Sequence, residues 1–153
     1  MIALRPLRED EYEAWDAAHR AEYGRGLVEH VGMTREQAEA KVERDVAHVL
    51  PDGLATASTH IWAVEVEGRV VGTVFVGVRD GGAWLYDITI AADERGKGYG
   101  RAAMTALEDE VRALGYDTIG LNVWGGNEVA RGLYRSLGWV EEAVHMRRKL
   151  KEG

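Results

Sequence analysis

Asp93-Glu94-Arg95-Gly96-Lys97-Gly98-Tyr99-Gly100-Arg101 joins two stretches of different period, and that change decides the fold. Behind it, Trp84 to Ile90 is a short apolar run of strand length. Ahead of it, Met104, Leu107, Val111 and Leu114 recur at three and four, the spacing of one helix face, and Gly115 follows where a helix ends on glycine. A strand therefore feeds into a helix through a glycine-rich turn. Upstream, Ile61 to Val66 alternates apolar and polar residues, Glu67-Gly68-Arg69 turns the chain, and Val70 to Val78 returns. Asp80-Gly81-Gly82 makes a second tight turn before Trp84, so three antiparallel strands run consecutively into the loop.

Further out, Ile2 to Leu7 reads as a strand, and Glu9 to Tyr23 as a helix with Tyr12, Trp15 and His19 on one face. Thr34 caps a second helix in a capping box with Gln37; Ala38, Val42, Val46 and Val49 form its buried stripe, and Pro51-Asp52-Gly53 ends it. On the other side of the loop, Thr118 to Val123 is a strand, Asn127 to Leu137 a helix closed by Gly138, and Trp139 to Leu150 a last strand or strand pair. The order β-α-α-β-β-β-α-β-α-β makes one α/β (α+β) domain over residues 1–153. An antiparallel meander followed by a strand-helix-strand crossover gives a mixed, mostly antiparallel central sheet flanked by helices.

Composition narrows the function. With 153 residues, 46% hydrophobic and 29% charged, the chain has the make-up of a single globular domain. It contains no cysteine, which removes disulfides, thiolate metal sites and a cysteine nucleophile, and fits a reducing, cytoplasmic setting. No stretch reaches the apolar length of a membrane helix, so no membrane partner is expected. Nineteen basic against 26 acidic residues, a net charge of −7, opposes a nucleic-acid partner. His19, His30, His48, His60 and His145 show no spacing that puts two on one helix face, so no metal is expected. The five tryptophans read as core or cleft-wall residues, with Trp124 the one nearest the motif described below.

The loop has the chemistry of a phosphate cradle. Glycines at 96, 98 and 100 let backbone N–H groups crowd an anion, the following helix adds its N-terminal dipole, and Arg95, Lys97 and Arg101 reverse the chain's overall charge locally. A solvated, glycine-rich β-to-α turn is the plain alternative. Two nucleotide loops do not fit. The triphosphate loop requires Ser or Thr after Gly-Lys, but Gly98 follows Lys97. A dinucleotide fold places its loop after the first strand of a parallel unit and an acidic residue about twenty positions on, where this chain has Gly120, Leu121 and Asn122.

Arg95, two residues, Gly98, one residue, Gly100 resembles the signature of the GNAT superfamily, the acyl-CoA-dependent N-acyltransferases. The run from Leu121 to Trp139 resembles that family's second signature, with Asn127, Ala130, Leu133, Tyr134 and Gly138 in place. The resemblance extends from about Trp84 to the C-terminus. It implies a GNAT-like acyl-CoA N-acyltransferase fold, with acetyl-CoA (coenzyme A) as cosubstrate and an amine of a small molecule or a protein as acceptor. The backbone of Arg95, Gly96, Lys97, Gly98, Tyr99, Gly100 and Arg101 is implied to grip the coenzyme pyrophosphate. The strand edge at Ile88 and Ile90 is implied to pair with the pantetheine arm, in a gap where Tyr86 to Ile90 splays from Thr118 to Val123.

The same resemblance assigns Tyr134 as the acid near the coenzyme sulfur, since a phenol ionising near ~10 can protonate a departing thiolate; packing within the stripe Ala130, Leu133, Leu137 is its alternative. Asn127 either caps its helix or also bonds the coenzyme. A backbone N–H near Ile90 is implied to polarise the thioester carbonyl. Asp87, inside an apolar strand, is the candidate general base or a structural carboxylate; Glu22, Tyr23 or a water route are the other options. A non-catalytic acyl-CoA-binding module is the competing function. Antiparallel edge strands near the C-terminus leave a homodimer open.

Overall fold

The structure, a computed structural model, describes residues 1–151. Strand β1 (Ile2–Pro6) leads into α1 (Glu9–Gly26), a π-helical turn at Leu27–Val31, and α2 (Arg35–Val49). Then come β2 (His60–Val66), β3 (Arg69–Arg79), β4 (Gly82–Ile90), a 3-10 turn at Ala92–Glu94, α3 (Tyr99–Ala113), β5 (Ile119–Leu121) and α4 (Glu128–Ser136). The chain divides into two units, Met1–Asn122 and Val123–Gly153.

In the first unit the five strands lie in the order β1-β2-β3-β4-β5. Neighbours are antiparallel except β4 and β5, which are parallel because α3 crosses between them. Side chains alternate faces along each strand, so the sheet has two cores. On one face Ile61, Ala63 and Phe75 pack with Trp15 and Leu27, and with Ala38, Val42 and Val46 of α2. The capping box expected of α2 is present: Gln37 N–H donates to Thr34 Oγ1 at 3.1 Å, and Thr34 N–H donates to Gln37 Oε1 at 3.0 Å. On the opposite face lie Trp62, Val64, Val74 and Val76, while α3 contributes Ala103, Met104, Leu107 and Val111, all buried. Each large side chain closed off from water in this way stabilises the fold by about 1.5–3 kcal/mol.

Two sequence expectations need correction. The strand expected over Thr118 to Val123 is three residues long, because only Ile119, Gly120 and Leu121 find ladder partners on β4. The strand expected over Trp139 to Leu150 does not form: among the described residues none of this segment pairs in a ladder, and Val140, Val144, Met146 and Leu150 are exposed. Those four share one face by alternation, but Glu142 and Arg148 interrupt it, and alternation without a ladder partner does not make a strand. The C-terminal edge strands on which a homodimer was argued are thus absent among the described residues.

Candidate active site

The loop after β4 is folded around its glycines. Gly96 and Gly98 have φ of +79° and +83°, the left-handed region open to glycine, and a Cβ on either would meet nothing within 4 Å. Gly98 caps α3, whose first helical bond runs from Ala102 N–H to Gly98 O at 3.1 Å. The N–H groups of Tyr99, Gly100 and Arg101 precede that bond and have no partner within the helix. Arg95 turns back to donate from Nε to Ile90 O at 3.0 Å, closing the loop onto the end of β4. Glu94 accepts from Arg69 at 3.0 and 3.2 Å and from Lys97 at 3.1 Å; Arg69 first, then Lys97, hold its carboxyl below the usual range. The residues present fit a diphosphate: open space at Gly96 and Gly98, the first backbone amides of a helix, and the cations of Arg95, Lys97 and Arg101 in the same loop.

Strand β4 is irregular where it matters. Val76 pairs with Leu85 and Phe75 with Asp87, so Tyr86 is an extra residue, a β-bulge. Phe75 and Asp87, directly opposite, share the face that α1 covers. Tyr86 is turned onto the same face, its ring stacked on Phe75 at 4.9 Å. Beyond the bulge the two parallel strands part. Ladder pairs with β5 end at Leu85 and Leu121, leaving Tyr86 to Ile90 with one edge unpaired by β5.

Asp87 accepts a hydrogen bond from the Thr89 hydroxyl at 2.9 Å. Burial pushes its carboxyl above the ordinary range; His19 and the Thr89 bond oppose that rise and Glu22 adds to it. Burial likewise lowers His19, with Asp87 and Asp16 opposing. The imidazole lies flat on Trp15, with centroids 4.9 Å apart and planes 7° apart, and edge-on to Phe75 at 5.6 Å. Tyr86 also lines a cavity of about 350 Å³ with His48, Asp52, Ser58, Thr59 and Gly77.

The second unit holds the remaining candidates. Asn127 caps α4, its Oδ1 accepting from Ala130 N–H at 3.1 Å. Tyr134 lies on α4 with its ring 5.8 Å from that of Trp139, and Trp139 N–H donates to Tyr134 O at 3.0 Å. Arg131 ties Gly125 O, Glu128 and Glu141 together.

A model of the acetyltransferase (GNAT) family matches residues 32–139. The chain belongs to the acetyltransferase (GNAT) family. It is 29% identical to the uncharacterized N-acetyltransferase YycN of Bacillus subtilis (strain 168), over 97% of this chain and 99% of that one. A second relative, the uncharacterized N-acetyltransferase YdgE of the same strain, is 24% identical over 97% and 98%. The crystal structure of YycN superposes with a TM-score of 0.93 at 28% identity, covering 99% of this chain and all of that one. The fold is also that of the aminoglycoside N-acetyltransferase AAC(6')-Iy in complex with CoA, with a TM-score of 0.63 at 15% identity over 99% and 96% of the two chains.

This GNAT acetyltransferase is therefore an acyl-CoA-dependent enzyme. Its first unit brings Asp87, Ile88, Ile90 and the loop Arg95 to Arg101 into one continuous path along β4 and its exit; Asn127 and Tyr134 belong to the second unit. Sequence reading missed Tyr86 as a bulge residue and His19 as a polar neighbour of Asp87. His19 was legible only as one position on a helical face shared with Trp15.

Proposed function

We propose that this acetyltransferase moves an acetyl group from acetyl-CoA to a primary amine of a small molecule or a protein by direct transfer, within a single domain in the cytoplasm. The cysteine-free sequence supports that compartment, and the family match across residues 32–139 spans both units. Acetyl-CoA supplies an acetyl group activated as a thioester. The amides from Arg95 to Arg101 hold the pyrophosphate, and the main chain at Ile88 and Ile90 bonds the pantetheine arm. An N–H near Ile90 draws negative charge onto the carbonyl oxygen. Asp87 stands at the bulge as the base toward the amine, the cavity beside Tyr86 seats the acceptor, and Tyr134 protonates the leaving sulfur. Asn127 spends its oxygen on the helix cap and keeps its amide nitrogen for the coenzyme.

The observation that carries this reading is the run Tyr86 to Ile90, whose edge away from β3 has no β5 partner, ending in a glycine cradle at the mouth of α3. A panel of polyamines, amino sugars, amino acids and lysine-bearing peptides, assayed for CoA thiol released from acetyl-CoA, tests it. Amine-dependent thiol with at least one member is expected. Saturable CoA binding with no amine-dependent thiol from any member would overturn it.

A further inference from the structure

The cavity lined by Tyr86 is walled on one side by a segment that holds a residue against its backbone preference. Between α2 and β2 the chain is tied down by its own hydroxyls. Thr56 Oγ1 accepts from Asp52 N–H at 3.0 Å and donates to Gly53 O at 2.7 Å, and Thr59 Oγ1 donates to Thr56 O at 2.8 Å. Among the described residues, three that are not glycine have a positive φ: Ser58, Glu67 and Asp80. Glu67 and Asp80 each precede a glycine in a hairpin turn, where a left-handed backbone is the ordinary geometry. Ser58, at φ +60°, lies in the turn before β2, at a position glycine would hold without strain. Such strain persists where the surroundings enforce it, and it gathers at ligand sites. Here the strained residue lines the cavity.

The wall divides into groups already engaged and groups open to a ligand. The hydroxyl protons of Thr56 and Thr59 are bonded to the backbone, whereas the side chains of His48, Asp52, Ser58 and Tyr86 hydrogen-bond no other described residue. Asp52 precedes the 3-10 turn Gly53–Ala55 without a side-chain bond to it, so the turn does not depend on its carboxylate. No lysine or arginine lines the cavity. A carboxylate or phosphate on the ligand therefore finds no strong cation there, and meets the like charge of Asp52. Hydroxyl groups suit the same wall, since each can donate to Asp52 and exchange hydrogen bonds with Ser58 or Tyr86. At about 350 Å³ the cavity is at the small end of ligand sites and holds a single sugar ring or a short branched chain. Resting on the transferase reading above, in which this cavity seats the acceptor, we propose that the acceptor is a small amine bearing hydroxyl groups near its nitrogen and no anionic group: an amino alcohol or a single amino-sugar ring. Asp52 and Ser58 are the specificity-determining residues, Asp52 accepting from those hydroxyls and Ser58 kept in its strained turn for its own.

Thiol release from acetyl-CoA by the full chain tests this with three amines of one skeleton: serinol, isopropylamine, which lacks both hydroxyls, and serine, which has a carboxylate in place of one hydroxymethyl group. Glucosamine and cyclohexylamine are the matching pair for a ring, and a lysine-bearing peptide stands for a protein acceptor. In at least one pair kcat/KM should be about tenfold or more higher for the hydroxylated amine, and serine and the peptide should fall below it. Hydroxyls also make an amine less basic, so the deciding quantity is the change of the hydroxylated-to-bare ratio in Asp52→Asn and Ser58→Gly, where that intrinsic difference cancels. The ratio should drop about fivefold or more in each variant, and Ser58→Gly should show a higher Tm because glycine relieves the turn. A ratio unchanged in both variants, or serine or the peptide preferred by the parent, overturns this inference and leaves the transferase reading standing. Absence of thiol release with every amine of this set and of the panel above removes the transferase reading, and this inference with it.

Discussion

The ring of Tyr86 lies over the bare Cα of Gly77. A Cβ at residue 77 would come within 2.7 Å of Tyr86 Cε2, and the ring is held from the other side by its 4.9 Å stack on Phe75. Gly77→Ala therefore forces the bulge residue to move. We expect a stability loss of about 1–3 kcal/mol by chemical denaturation, the range for overpacking a filled site. If the cavity beside Tyr86 seats the acceptor amine, its KM should rise several-fold while CoA affinity holds, because the cavity wall moves and the loop from Arg95 to Arg101 does not.

Much of this geometry was legible in the sequence, and what was not has a physical reason. Thr34 with Gln37, the Val and Ala stripe of α2, and the turns at Gly68 and Gly81 are local signals, and each appears where its chemistry put it. The conformation of the loop before α3 was legible because it is carried by missing side chains at Gly96 and Gly98, which a sequence displays directly. The Tyr86 bulge was not, because a bulge is a property of a pairing: Val76 and Phe75 decide it from across the ladder. His19 meets the Phe75 ring only through the packing of α1 on the sheet, a relation between residues far apart in sequence. The Trp139 to Leu150 segment misled for the opposite reason, since it has the alternation of a strand and no ladder to join.

Glycine at 98 is required by conformation rather than by space. With φ at +83° and open surroundings, Gly98→Ala should cost about 1 kcal/mol of stability from the left-handed backbone alone. It should also lower CoA affinity about tenfold, since the amides of Tyr99 and Gly100 are aimed by that residue. Gly81→Ala is the control: φ is +80° in the β3–β4 turn, again with nothing within 4 Å. A similar stability loss with CoA affinity unchanged is expected, and calorimetry with CoA on both variants separates strain from binding.

Arg5 fastens β1 to its neighbours, donating to Glu11 at 2.8 and 3.1 Å and to Glu65 at 3.0 Å. The Arg5 guanidinium foremost, with the Arg8 N–H, lowers the Glu11 carboxyl from 4.5 to about 2. A carboxyl whose folded value is depressed stabilises the fold above its ordinary pKa and loses that contribution as pH falls through the folded value. The window is therefore pH 4.5 down to about 2. Glu11→Gln should cost about 1 kcal/mol at pH 7, after allowance for a partly solvated pair, and nothing measurable by pH 2. Denaturant melts of parent and variant across that range should converge on the acid side; parallel curves would assign the interaction to hydrogen bonding without charge.

Tyr134 tests the chemical step from the second unit. Its ring is 5.8 Å from that of Trp139, so Tyr134→Phe keeps the aromatic contact and removes one hydroxyl. If the phenol protonates the departing thiolate, kcat should fall about 100-fold, the usual worth of a positioned general acid, with the KM for acetyl-CoA nearly unchanged because the cradle from Arg95 to Arg101 is untouched. A packing role predicts the reverse pattern, with a lower Tm and kcat within twofold of the parent. The two are further distinguished by the leaving group. An acyl donor whose thiol ionises more readily than that of CoA needs less help from an acid, so it should recover a larger share of the lost rate in Tyr134→Phe than in the parent, an effect that lost packing does not produce.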